Sequence, residues 1–253
     1  MTSKPYYITT PIYYVNDKPH LGHAYTTIAA DVKARFHRLR GEEVRFLTGT
    51  DEHGQKLARA AEEAGMAPKP FTDLNCAKFR KLWEKLNISY DDFIRTTEDR
   101  HKRGVAELWR RVLAAGDIYK GEYEGKYCVS CETYFTDLQL LDGNCPDCGR
   151  PAESVSEDSY FFRLSKYEKP LLDHYERHPG FVMPDSRRNE IIRFVRGGLR
   201  DLSVSRTSFK WGISVPDDPL HVIYVWFDAL SNYMTAAGFG PDGGEGGFAE
   251  AIA

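Results

Sequence analysis

The sequence has no apolar run long enough to cross a bilayer, which excludes a helical membrane protein. Positive charge is also short. Thirty-four Lys and Arg stand against 37 Asp and Glu, a net −3. No global field draws in nucleic acid, so any such contact needs a local basic patch. The first residues, Met1-Thr2-Ser3-Lys4-Pro5, lack the apolar core of a secretory leader. A cytoplasmic location without a membrane partner is the resulting expectation. No P-loop and no Gly-x-Ser-x-Gly elbow occurs, which argues against P-loop phosphate binding and serine hydrolysis. There is no internal repeat. Cysteine is scarce and odd in number, five in all, yet four of the five fall in paired spacing.

What is present suits a packed chain of 253 residues: 42% are apolar, which makes wholesale disorder unsuitable as a description. Residues 5–15 are rich in Tyr, Ile and Thr and read as a strand. Residues 21–40 carry apolar positions at helical spacing, namely Leu21, Ala24, Ile28, Val32, Phe36 and Leu39, with Gly41 placed as the residue after the helix. A second strand runs over 44–47 into Thr48-Gly49-Thr50-Asp51-Glu52-His53-Gly54. Helices over 55–64 and 71–86, a strand over 92–96 and a helix capped by Thr97 and ending near Gly116 complete an alternating pattern. Such alternation predicts a parallel sheet with covering helices. Near residue 117 the texture turns to antiparallel hairpin material. Ser165 and Glu168 have capping-box spacing for a helix to about His178, and another helix spans about 185–197. From His221 a strand over 222–228 is expected to restore the first pattern. A glycine-rich surface loop follows over 238–247.

The first chemical stretch is His20-Leu21-Gly22-His23. It sits where a strand passes through a tight loop into a helix. The exposed N–H groups of that first turn favour an anion, and two imidazoles add donors. Gly22 keeps a side chain away from the backbone there. These residues point to a nucleotide-phosphate site. Asp51 lies at the C-terminal end of a strand, where ligands sit in open α/β sheets. It could meet an ammonium group, or merely cap the next helix. Cys128-x₂-Cys131 and Cys145-x₂-Cys148, thirteen residues apart, match tetrahedral zinc with all four positions filled by protein. A structural metal follows; redox chemistry would need only one pair. Cys76, inside a helical pattern, reads as a buried thiol. Trp226 and the aromatics after it could be core or pocket. Arg187, Arg188, Arg193, Arg196 and Arg200 read as a solvated helical face, or as phosphate contacts to RNA.

His-Leu-Gly-His after a strand resembles the first signature of class I aminoacyl-tRNA synthetases. With Phe46 to Gly54, the paired cysteines and Trp226 to Tyr233, the chain is similar to the methionyl-tRNA synthetases along nearly its whole length. The resemblance implies a Rossmann-like parallel sheet over 1–116, an inserted zinc-bearing α+β connective domain over 117–220 and the start of the second half of the catalytic domain over 221–253. It implies ATP-dependent activation of methionine, with Mg²⁺ on the ATP phosphates, and transfer to tRNA(Met). By the same match His20, Gly22 and His23 handle ATP. Asp51 holds the amino group of methionine, and Ile12, Tyr14, Trp226, Ala229 and Tyr233 line its side-chain slot, with Arg206 and Asp228 as further candidates. Leu230 stands where one subgroup of the family has proline. Isoleucyl, valyl and leucyl relatives carry large editing insertions, for which there is no room. A non-catalytic zinc-bearing scaffold is the rival from another class. The second family signature, Lys-Met-Ser-Lys-Ser, does not occur before Ala253. The expectation is therefore a truncated polypeptide whose turnover is impaired.

Overall fold

The computed structural model describes residues 5–131, 133–135 and 140–241. Its first layer is a parallel sheet. Strands β1 (Tyr6–Thr9) and β2 (Tyr13–Tyr14) lie end to end along one edge of β3 (Val44–Asp51), and β4 (Asp92–Arg95) lies along the other. The expected single strand over 5–15 is thus interrupted. Pro11 has no N–H for the ladder, and Thr10 bridges the gap by giving its N–H to Leu47. Between β3 and β4, Gly49 faces the carbonyl of Ile94 so closely that a Cβ would come within 2.1 Å of it. That contact explains a glycine in mid-strand.

Helix α1 (Leu21–Leu39) ends in a Schellman turn. Glu42 N–H reaches His37 O and Gly41 N–H reaches Arg38 O, with Gly41 at φ +76°. Helices α2 (Gln55–Glu63) and α3 (Pro68–Lys85) follow; Pro68 opens α3 three residues before the expected start. Helix α4 (Asp99–Ala114) is not capped by Thr97, whose hydroxyl bonds Glu52 instead. Phe79, Trp83, Leu57 and Tyr13 build one core between the sheet and its helices.

The change of texture after 117 is real in backbone terms. Strand β5 (Ile118–Cys128) pairs antiparallel with β6 (Thr133–Phe135) and over ten residues with β7 (Glu153–Phe162). Helices α5 (Glu168–Arg177) and α6 (Asp185–Arg196) pack on each other. The Ser165 capping box does not form: its hydroxyl and N–H both turn to Asp201, and a 3₁₀ turn precedes α5. Strands β8 (Leu202–Ser203) and β9 (Ser205–Arg206) lead to β10 (Ser214–Val215) and β11 (Asp218–Ile223), and α7 (Val225–Leu230) and α8 (Asn232–Thr235) close the described chain.

One expectation is corrected here. β11 lies in an antiparallel sheet of order β10-β11-β9 and does not extend the parallel one. Residues 225–228 are helical, with Tyr224 as the extended residue before them. The expected 238–247 loop falls mostly outside the described residues. No helix of the described chain is long and apolar enough to cross a membrane.

Candidate active site

Four elements converge at the C-terminal ends of β2 and β3. A cavity of about 310 Å³ there is lined by Pro11, Ile12 and Tyr14, by Asp51 and Lys56, by Val225, Trp226, Ala229 and Leu230, and by Ser130 and Cys131. Five residues separated by up to 217 positions in sequence, Ile12, Tyr14, Asp51, Trp226 and Ala229, are thereby brought together. Asp51 is 5% exposed and does not cap α2, whose N-cap is Gly54. Tyr233 packs beside Ile12 against Leu47 and Ile94. Burial pushes its hydroxyl above the ordinary tyrosine value, with the charge of Asp51 adding to the effect. Sequence reasoning missed Lys56, whose ammonium sits 5.7 Å from the Tyr14 ring, and the Ser130-Cys131 turn. The position of Lys56 two residues after the Asp51–Gly54 loop was the only local signal for it.

His20 and His23 form a capping box at the start of α1. Gly22 N–H donates to His20 Nδ1 at 3.1 Å, and His20 N–H donates to His23 Nδ1 at 3.2 Å. An accepting Nδ1 leaves the ring proton on Nε2, so both rings offer Nε2–H outward. Gly22 serves this arrangement, since a Cβ would meet the His20 ring at 3.0 Å. Burial, and then the neighbouring His20, hold the His23 imidazole below its usual value and so neutral. Neither ring lines the cavity. His23 lies against Tyr13, centroids 4.7 Å apart, while the next strand residue, Tyr14, faces the cavity. The imidazoles and the aromatic slot are therefore neighbours on either side of β2.

Two further candidates lie elsewhere. Arg206 is buried, with its guanidinium 4.2 Å from the Tyr224 ring and Nη1 donating to Ser203 Oγ and Ser205 O. It stacks inside the β9 junction and does not line the cavity. Asp228 neither caps α7 nor lines the cavity. Its Oδ2 accepts from His53 Nδ1 at 2.6 Å and its Oδ1 from His101 Nε2 at 2.7 Å. Burial works against its charge, but His53 and His101 outweigh it and hold the carboxyl below its ordinary value.

The four paired cysteines meet. Their sulfurs all lie within 4.8 Å of one another, with Cys128–Cys148 at 3.5 Å and Cys131–Cys145 at 3.8 Å. Zinc binds thiolates at about 2.3 Å, which sets neighbouring sulfurs of a tetrahedron about 3.8 Å apart. The donor set fits a metal of that size. Cys131, in the cavity wall, ties this knuckle to the slot.

The family model of class I (M) tRNA synthetases matches residues 6–156 and 148–243. The chain is 59% identical over 236 residues to methionine–tRNA ligase of Caldanaerobacter subterraneus, covering 93% of this chain and 37% of that protein. It is 56% identical to the Clostridium perfringens enzyme, covering 97% and 38%. Among solved structures, Mycobacterium tuberculosis methionyl-tRNA synthetase in complex with methionyl-adenylate superposes with a TM-score of 0.94 at 52% identity, over 99% of this chain and 50% of that one. The apo form of the same enzyme gives 0.79. The chain thus spans well under half the length of the curated relatives it matches. It belongs to the class I (M) family of tRNA synthetases.

Proposed function

We propose that this chain carries the amino-acid and nucleotide sites of a methionine–tRNA ligase, which activates methionine with ATP and transfers it to tRNA(Met). The observation that carries the reading is the cavity that unites Asp51 with Ile12, Tyr14, Trp226 and Ala229. A carboxylate at one end and aromatic walls at the other suit an ammonium group and a polarisable thioether. Tyr233 packs against the same Leu47–Ile94 cluster as Ile12.

The chemistry asks for positioning and not for a protein nucleophile. The carboxylate of methionine attacks the α-phosphorus of ATP, a carboxyl–phosphate bond forms, and the bond to pyrophosphate breaks. The His20 and His23 rings offer Nε2–H groups, and the start of α1, beside Gly22, offers backbone donors to the phosphates that leave. Mg²⁺ would enter with those phosphates. Cys128, Cys131, Cys145 and Cys148 would hold Zn²⁺, which in that shell braces the fold and takes no substrate. In the same proposal, residues 1–116 and 221–253 are parts of a catalytic unit and 117–220 is its inserted arm.

Calorimetric titration of the chain with L-methionine tests the reading. Saturable binding that Asp51→Ala abolishes is expected, as is methionine-dependent exchange of pyrophosphate into ATP by a protein containing this chain. No binding to the wild-type chain, together with no exchange, would favour a zinc-bearing scaffold.

A further inference from the structure

The loop that carries Asp51 is held on two sides by buried groups, and one of these sides is the wall of the cavity itself. Glu52 points toward β4. It takes two bonds from Arg95, at 2.6 and 2.9 Å, and hydroxyl bonds from Thr50 and Thr97. His53 points the other way. Its Nδ1 meets Asp228 Oδ2, and its ring edge meets Trp211, centroids 5.4 Å apart at 72°. Trp211 in turn donates its indole N–H to Glu52 O and accepts Gly54 N–H. On the far side of Asp228, His101 of α4 supplies Nε2, while its Nδ1 is bonded to Thr235 of α8. The three groups His53, Asp228 and His101 are each no more than 2% exposed.

Asp228 sits on α7, the helix that gives Trp226 and Ala229 to the cavity. Two residues along a helix turn through about 200°, so Asp228 projects away from the Trp226 side, into the protein. One end of the His53–Asp228 bond is therefore the loop with the ammonium-binding candidate. The other end is the helix with the side-chain wall.

We propose that His53, Asp228 and His101 form a buried clamp that sets the spacing between Asp51 and the Trp226–Ala229 wall, and are positioning residues for the amino-acid ligand. None of the three lines the cavity. They act by fixing two surfaces that one ligand must span, where a misplacement near 1 Å costs about a hundredfold in rate. The inference takes its ligand from the reading under Proposed function; its geometry stands independently of that reading.

The test compares His53→Ala with His53→Asn. Asparagine places its amide N–H near the position of Nδ1 and can keep the bond to Asp228, whereas alanine cannot. Hydrogen exchange of the α7 amides reports the clamp without any ligand, and calorimetry reports L-methionine and ATP separately. For His53→Ala we expect lost protection in α7 and methionine affinity down by about tenfold or more, with ATP affinity retained. His53→Asn restores both signals. If the alanine variant is too unstable to measure, His53→Gln replaces it, because its longer arm carries the amide past the Nδ1 position. Unchanged protection in α7 overturns the proposal. So does equal loss of methionine and ATP binding that asparagine fails to restore, since that is the signature of general destabilisation. A wild-type chain that binds no methionine rejects the ligand reading alone; the clamp is then decided by α7 protection and its rescue.

Discussion

The imidazole of His20 lies nearly flat on that of His23, their centroids 3.6 Å apart and their planes 24° from parallel. Each ring uses Nδ1 as an acceptor for the backbone. Burial, and then the neighbouring His20 ring, hold His23 below its usual value. The site at the start of α1 thus presents two imidazole donors, with the helix end supplying the positive potential.

A pH dependence follows with a definite sign. Below the ordinary value of 6.5, the unfolded chain protonates at His23 before the folded one does. The unfolded state then binds more protons, so stability rises with pH across this window and is lost as pH falls through it. His23→Asn keeps an acceptor near Nδ1 and cannot titrate. Urea midpoints of wild type and His23→Asn should converge in shape above about pH 6.5 and diverge below it, with wild type losing more. Parallel curves down to pH 5 would contradict the assignment.

Gly49 leaves no room for a side chain beside β4. A methyl group there would meet Ile94 O at 2.1 Å and Ile94 Cγ2 at 2.8 Å. The obstacle is backbone and cannot swing aside. Gly49→Ala should destabilise by about 3 kcal/mol, at the upper end for overpacking. Chemical denaturation measures it, and a change under about 1 kcal/mol would mean β3 and β4 are spaced more widely.

The Glu52–Arg95 pair is buried at its acidic end, with the Glu52 side chain fully enclosed and Arg95 19% exposed. Arg95→Met leaves a buried carboxylate without its two charged bonds. A loss of about 3–5 kcal/mol is expected. The double variant with Glu52→Gln should recover part of it, because the orphaned charge is then gone.

Much of this site was legible because its signals are local. Two Cys-x₂-Cys turns fix the knuckle from spacing alone, and a histidine, a glycine and a second histidine at a strand–helix junction mark the start of α1, though not the capping box they form there. The buried clamp was not legible. His53, His101 and Asp228 lie on three elements up to 175 residues apart, and each has an ordinary local role available. The same limit explains Asp228 itself, since its position on a helix turn decides whether it faces ligand or protein. Residues 222–228 misled for another reason: the run Val222 to Phe227 is apolar throughout, and such a run does not say where a strand stops and a helix starts.

Metal removal should be felt in the slot as well as in the knuckle. Cys131 belongs to both the sulfur cluster and the cavity wall, and Ser130 lines the wall beside it. One zinc per chain is expected by elemental analysis, with Cys145→Ser releasing it. Chelation should lower Tm, by about 2–4 °C for each kcal/mol of support lost, and should weaken methionine binding in parallel. A metal-free chain that binds methionine at full strength would separate the two structures.

Helix α1 presents its larger apolar side chains to solvent. Leu21 and Leu39 are each 88% exposed and Tyr25 is 79% exposed, while Ala30, Ala34 and Thr27 are buried. The helical period was readable from sequence; the buried face was not. Small residues let the helix approach Phe46 of β3, and Asp31 accepts from Ser89 N–H and hydroxyl behind it. The face is decided by closeness of approach, not by side-chain size. Two substitutions test this directly. Val32→Lys on the exposed side should change stability by less than about 0.5 kcal/mol. Ala34→Leu on the buried side should cost about 1–3 kcal/mol by overpacking. The reverse order would put the large residues in the core. The exposed stripe should also bind an apolar dye, and Val32→Lys combined with Phe36→Lys should reduce that signal without unfolding the chain.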